Sequence, residues 1–227
     1  GRAFLVGDSA HQLSPTGGFG MNTGMGDAVD LGWKLQAVIA GWGGEDLLDS
    51  YDSERRPIGE RNVREATINF RNLQNLPTFP WIEDDGPSAD ERRTRLGEEF
   101  RTQTLQEWES EGVQLGYRYD PSPICVPEDA PAPPDDPSVY EPSARPGSRA
   151  PHAWIAPGLS TLDKFGRGFA LLVFAASESA IAALEQAAAR ARVPLQVTRI
   201  DDPAIARLYE ARLALVRPDG HVAWRGD

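Results

Sequence analysis

Just after Gly1-Arg2 come four apolar residues, Ala3-Phe4-Leu5-Val6, stopped by Gly7-Asp8. A short apolar run closed by a turn signal reads as a buried strand. Asp8 then falls at the strand's carboxyl end, where open α/β sheets bind ligands. A loop rich in Gly and Pro follows, Ser14 to Gly20. From Met21 the spacing becomes helical. Met21, Met25, Ala28, Leu35 and Ile39 recur as an apolar stripe, with Asp27, Asp30 and Lys34 off it, which predicts an amphipathic helix. Gly24, Gly26 and Gly32 each weaken that helix by about 1 kcal/mol relative to Ala, so close packing or a ligand must require them.

Helical patterns continue downstream. Glu45 to Arg56 is one, with Pro57 either kinking it or starting the next. Ile58 to Leu76 follows, with Val63, Ala66, Phe70 and Leu73 as its buried face. Ala89 to Gly112 is a third, highly charged, with Leu96, Phe100 and Trp108 as core candidates. Residues 115–149 are dense in proline, and Pro127 to Pro137 predicts an extended, exposed linker.

The last segment, 150–227, alternates strand and helix. Phe169 to Phe174 is a strand, Glu178 to Arg192 a helix with Ile181, Leu184 and Ala188 inward, and Leu195 to Ile200 a second strand. Leu213-Val216 and His221-Trp224 flank Arg217-Pro218-Asp219-Gly220, a strong hairpin signal. Strand, helix, strand, helix and hairpin are the order of a thioredoxin-like fold. Thioredoxin chemistry needs a low-pKa Cys-x-x-Cys at the first helix's start. Ala175-Ala176-Ser177-Glu178 stands there instead, so disulfide exchange is excluded and the domain reads as structural, a covering or dimerising module.

Composition narrows the function classes. A net charge of −11 over 227 residues disfavours nucleic acid and anionic membranes as partners. No apolar run approaches the roughly 20 residues of a membrane span. The single cysteine, Cys125, allows no internal disulfide. Together these point to a cytoplasmic protein. His152 and His221 lack metal-ligand spacing and read as structural, and no metal site is expected.

The chemistry concentrates near the start. Strand, acidic residue, Gly-rich loop and helix N-terminus would aim free N–H groups and a positive dipole end at a ligand. An ionised Asp8 only accepts hydrogen bonds, so it wants hydroxyls. A nucleotide cofactor satisfies both. Gly18-x-Gly20 with Gly24 is not a G-x-G-x-x-G spacing, so as a phosphate loop it is weak. His11 is a tempting general base, Arg55 and Arg56 suit either a phosphate or a surface ion pair, and Trp33 reads as core.

Gly7-Asp8-Ser9-Ala10-His11, Pro15-Thr16-Gly17-Gly18, Gly20-Met21-Asn22-Thr23-Gly24, Asp27-Ala28 and Trp33-Lys34-Leu35 come in an order that resembles the second flavin-contacting motif of FAD-dependent aromatic hydroxylases, the class A flavoprotein monooxygenases. Tyr51 to Pro57 continues the match. Leu115 to Tyr119 and Pro146 to His152 are similar to the phenol and aromatic polyketide hydroxylases that carry an extra C-terminal domain. The resemblance implies the end of a p-hydroxybenzoate hydroxylase-like FAD domain with its strand and helices over 1–114, a linker over 115–149, and a thioredoxin-like domain over 150–227. It implies that Asp8 holds ribityl or neighbouring hydroxyls of FAD. Gly17, Gly18 and Gly20 would lie against the isoalloxazine, Met21 and Asn22 would face its pyrimidine edge, and Pro15 would wall the reactive carbon. His11 takes a supporting role, and no residue here is expected to be catalytic.

The implied activity is that of the parent enzyme. FAD is reduced by NADPH or NADH, reacts with O2, and as a hydroperoxide hydroxylates a phenolic or polyketide ring. The first Gly-rich fingerprint, for the ADP half, is absent, so the chain is expected to be a C-terminal fragment, inactive alone, with an unpaired sheet edge and bare apolar helix faces. The rival readings are a non-enzymatic assembly fragment, or the same fold with halogenase or oxidase chemistry. A homodimer is a further expectation.

Overall fold

The computed structural model describes residues 3–74 and 77–227; Leu76, the expected end of the second helical pattern, lies outside them. Four helices form the first part: α1 (Phe19–Ile39), α2 (Asp49–Gln74), α3 (Pro87–Trp108) and α4 (Glu111–Leu115). Gly18, left-handed at φ 67°, opens α1. Gly41, at φ 79°, lies just past its end, where the amides of Trp42 and Gly43 both donate to the Ala37 carbonyl. Pro57 rides inside α2 on its solvent side without ending it. Pro87 occupies the first turn of α3, where its missing N–H costs nothing.

Four expectations fail here. Ala3–Val6 is extended but not a paired strand, because no neighbouring strand lies beside it among the described residues to complete a ladder. Asp8 therefore sits not at a strand end but in a short 3-10 turn, Gly7–Ser9. The α1 stripe is inverted: Met21, Met25 and Ile39 are 70%, 55% and 84% exposed, while Asp27, Asp30 and Lys34 are buried. In α2 and α3 the apolar candidates Phe70, Phe100 and Trp108 are exposed, whereas Ala66 is buried as expected. The inward faces of α1 and α2 are polar because their side chains satisfy one another there.

The second part is built on a four-stranded sheet. It contains β1 (Trp154–Ala156) and β2 (Leu159–Ser160) as a small antiparallel pair, then β3 (Phe169–Val173), α5 (Glu178–Ala191), β4 (Leu195–Arg199), α6 (Pro203–Tyr209), β5 (Leu213–Val216) and β6 (Val222–Gly226). The sheet order is β4-β3-β5-β6, with β3 and β4 parallel and β5 antiparallel to both β3 and β6, the thioredoxin-like arrangement. Alternation along β3 splits the core. Ala170 and Leu172 join Ile200, Ile205, Tyr209, Val216 and Val222 on one face; Leu171 and Val173 meet Ile181 and Leu213 on the other. Ser177 caps α5 through the Ala180 amide, and Asp202 caps α6 through the Ala204 amide at 2.7 Å.

Between the parts, residues 116–150 form neither helix nor strand, apart from isolated bridges at Arg118–Ser148 and Arg149–His221. Pro127 to Pro137 is mostly exposed. The flanking stretches are not loose. Tyr119, Ala144 and Ala150 are buried, and the amides of Val126 and Gly147 donate to the Ala223 and Val222 carbonyls, covering the outer edge of β6.

Candidate functional site

The loop before α1 is fixed from below. Thr16 is buried, and its hydroxyl donates to the Ala66 carbonyl of α2 at 2.8 Å. The Gly17 amide donates to Glu107 of α3 at 3.4 Å, and that of Gly18 to the Pro15 carbonyl at 3.1 Å. Gly17 has φ 83°, and a Cβ there would stand 2.6 Å from the Phe19 ring, so only glycine fits. Phe19 anchors the helix start among Leu13, Ala66 and Val113.

The upper side of this loop is open. Pro15, Gly18, Met21 and Asn22 are exposed, Gly17 and Gly20 half-buried, and nothing lies within 4 Å of a Cβ built on Gly18. No side chain caps α1 and no acid stands in its first turn, so its leading N–H groups are offered outward. Six of the seven residues expected to bind a ligand therefore share one ledge. Asp8 is exposed on the adjacent turn, joined to α1 where Gly7 touches Gly24. Such a surface offers donors to carbonyl and ring-nitrogen acceptors and one carboxylate to hydroxyls.

Beneath it lies a buried carboxylate, Asp27. It accepts from the Gly7 amide at 3.0 Å and from Arg55 Nε at 2.8 Å, and it lies 2.7 Å from His11 Nε2. His11 is thus a support, and Arg55 is neither a surface group nor free for a phosphate. Arg56 is the exposed partner of Asp52. Beside Asp27 a cleft of about 1000 Å³ is lined by Phe4, His11, Tyr51, Arg55 and Arg56 among others.

Arg55 also donates to the Tyr119 hydroxyl, whose ring stacks on Arg217 and His221. There a second charged cluster begins, nearly closed to solvent. Arg217 donates to both Glu54 oxygens at 2.6 and 2.9 Å, to Asp30 at 3.1 Å and to Asp219 at 2.6 Å. Lys34 donates to Asp30 at 2.7 Å and to Glu54 at 2.6 Å. Burial pushes the Asp30 carboxyl up to about 7, against the pull of Lys34. Burial also opposes charge on Glu54 and Asp219, but Arg217 together with Lys34 at Glu54, and Arg217 together with His221 at Asp219, outweigh it and hold both below the usual range. Trp33 is core as expected; its ring meets Trp42 and Phe169, and its Nε1 donates to Asp219 at 3.1 Å. His221 lies in this interface, away from any metal-like group of side chains, and none exists among the described residues.

Sequence reasoning missed Asp27, Glu54, Arg55 and Arg217 as organisers. A signal was present. Asp27, Asp30 and Lys34 are themselves spaced at helical intervals, as are Glu54, Ile58, Arg61, Glu65 and Asn69, so each series marks a helix face as well as any apolar stripe does.

Residues 1–66 match the family described as FAD binding domain, and residues 143–227 that described as aromatic-ring hydroxylase, C-terminal. An FAD-dependent monooxygenase of Emericella nidulans, apdD, is 40% identical over 239 aligned residues, which take in 100% of this chain and 38% of the relative. Among solved structures, the rebeccamycin biosynthetic enzyme RebC with reduced flavin superposes with a TM-score of 0.90 at 46% identity, over 100% of this chain and 42% of RebC. The flavin-dependent monooxygenase PieE, in complex with FAD and substrate, gives a TM-score of 0.86 at 35% identity, over 100% of this chain and 45% of PieE. The chain thus spans about two fifths of the length of these relatives.

Proposed function

The chain belongs to the FAD-dependent aromatic-ring hydroxylases, and from that premise we propose that the whole protein is a monooxygenase inserting one oxygen atom of O2 into a phenolic or polyketide aromatic ring. Bound FAD would supply the redox chemistry, taking electrons from NADPH or NADH. The observation that carries the reading is the open ledge at the start of α1, with its uncapped N–H groups and the free space over Gly18. A planar, acceptor-edged ring fits that ledge.

Each residue then has a task. The leading amides of α1, around Gly20 to Asn22, hold the pyrimidine edge and favour negative charge on it. Gly17 and Gly18 keep the backbone low enough for the ring to lie flat. Pro15 walls the reacting side and helps to exclude water. Asp8 accepts from ribityl hydroxyls. Residues 150–227 cover the FAD-binding part and give two copies a surface through which to pair. The acidic, single-cysteine composition supports a cytoplasmic setting.

The test uses the whole protein. Purified, it should show flavin absorption bands, and Asp8→Ala should lose most of that flavin while the far-UV dichroism is kept. NADPH or NADH oxidation should rise with phenols or aromatic polyketides, and the product should gain one oxygen from O2. A halogenated or merely oxidised product would overturn the reading. Native mass would report pairing.

A further inference from the structure

The Gly7–Ser9 turn has little to hold it in place. Its own bonds are local: Ser9 Oγ donates to the Val6 carbonyl and accepts from the Val6 amide. Asp8, at its crest, makes no hydrogen bond among those of the described residues, and Gly7 has φ 60°. Yet a residue that aims a carboxylate at a ligand must itself be fixed.

The fixing group is Asp27, only 1% exposed on α1. One oxygen takes the Gly7 amide and His11 Nε2; the other takes Arg55 Nε. The carboxylate thus ties the start of the turn, Gly7, and the segment just beyond it, His11, to α1 and α2. Arg55 is braced in turn by the Thr23 carbonyl at 3.1 Å. Glycines clear the way for each partner. A Cβ on Gly24 would stand 3.2 Å from Gly7 Cα, one on Gly26 2.8 Å from Arg55 Nη2, and one on Gly59 3.3 Å from the His11 ring. Two of the four glycines of α1, Gly24 and Gly26, are therefore explained by this one carboxylate's surroundings.

We propose that Asp27 is the positioning residue of the cofactor site: through Gly7 and His11 it aims Asp8, without touching the ligand itself. This rests on the reading that Asp8 holds FAD. It implies that Asp27 and Asp8 act as one unit, so their effects on binding do not add.

The experiment is a double-mutant cycle in the whole protein with FAD affinity as readout, joined to amide hydrogen exchange over residues 7–11. Asp27→Asn keeps the size but replaces an acceptor pair with one acceptor and one donor. It should weaken FAD binding by about tenfold, a 1.4 kcal/mol effect. It should also speed exchange at Gly7. In the Asp8→Ala background the same change should leave FAD affinity nearly untouched. Additive losses, or unchanged protection at Gly7, overturn the proposal. Should Asp8→Ala alone leave affinity unchanged, the assignment of Asp8 fails and Asp27 positions no ligand group, whereas a loss there with additivity sinks only the Asp27 link. His11→Ala, which leaves the carboxylate and Arg55 in place, runs the same cycle if Asp27→Asn does not fold.

Discussion

Asp30 shows what a single buried residue contributes. The closed cluster holds three carboxylates, Asp30, Glu54 and Asp219, against two cations, Lys34 and Arg217. Surplus negative charge out of reach of water is costly, and a proton is the available remedy. Asp30 is the acid raised, to about 7, while Glu54 and Asp219 are lowered. Between the unfolded carboxyl value near 4 and about 7, the folded state binds the extra proton. Stability from Asp30 is therefore full below about pH 4 and declines as pH rises to 7, with a limiting slope of about 1.4 kcal/mol per unit. Glu54 and Asp219 act oppositely, losing their contribution only as pH falls below the ordinary carboxyl range. Asp30→Asn should flatten the decline between pH 4 and 7 in denaturant titrations, and an unchanged slope would place the proton elsewhere.

At the scale of elements, the turn between β5 and β6 plugs into the pair α1 and α2. Arg217 is its pin, bound to Glu54, Asp30 and Asp219 and stacked between Trp33 and Tyr119. Arg217→Met would leave those acids uncompensated, which for buried pairs costs about 3–5 kcal/mol; the urea midpoint should fall accordingly. Arg56→Ala, removing an exposed partner of Asp52, should leave it in place. The sequence disclosed the hairpin itself, because Pro218-Asp219-Gly220 is local turn chemistry and Gly220 takes φ 80°. It disclosed α5, β3 and β4 for the same reason: their apolar positions face a core made from the same segment. It misled on α1 and α3, where an apolar stripe at helical spacing says only that a face is apolar. In α1 the partners of the inward face, Glu54, Arg55 and Arg217, are charged and distant in sequence, so no window of α1 could reveal them. The open loop and helix start before α1 were legible, because glycines are local signals; the bonds of Asp27 were not, since they join Gly7, His11 and Arg55 from separate stretches of the chain.

Across the whole molecule, the same contacts join two parts that share little else in architecture. One seam is ionic, from Asp30, Lys34 and Glu54 to Arg217 and Asp219. The other is aromatic, with Trp33 and Trp42 of the first part against Phe169 of β3 at centroid distances of 6.2 and 6.3 Å. Residues 116–150 add a third tie by covering β6 while Arg55 reaches Tyr119. These buried charges and largely covered rings cannot separate without exposing apolar surface and unpairing charges at once, so opening the seam alone is unfavourable. The two parts should therefore melt as one. Fluorescence of Trp33 and Trp42, isolated by replacing the other four tryptophans with Phe, and far-UV dichroism, which reports both parts, should give coincident transitions. Arg217→Met should pull them apart, with fluorescence changing first, since the ionic seam fails while α5 and the sheet keep their own core. Coincident curves in that variant would mean that the aromatic seam suffices, and non-coincident curves in the unaltered protein would mean that the parts fold independently despite the shared charges.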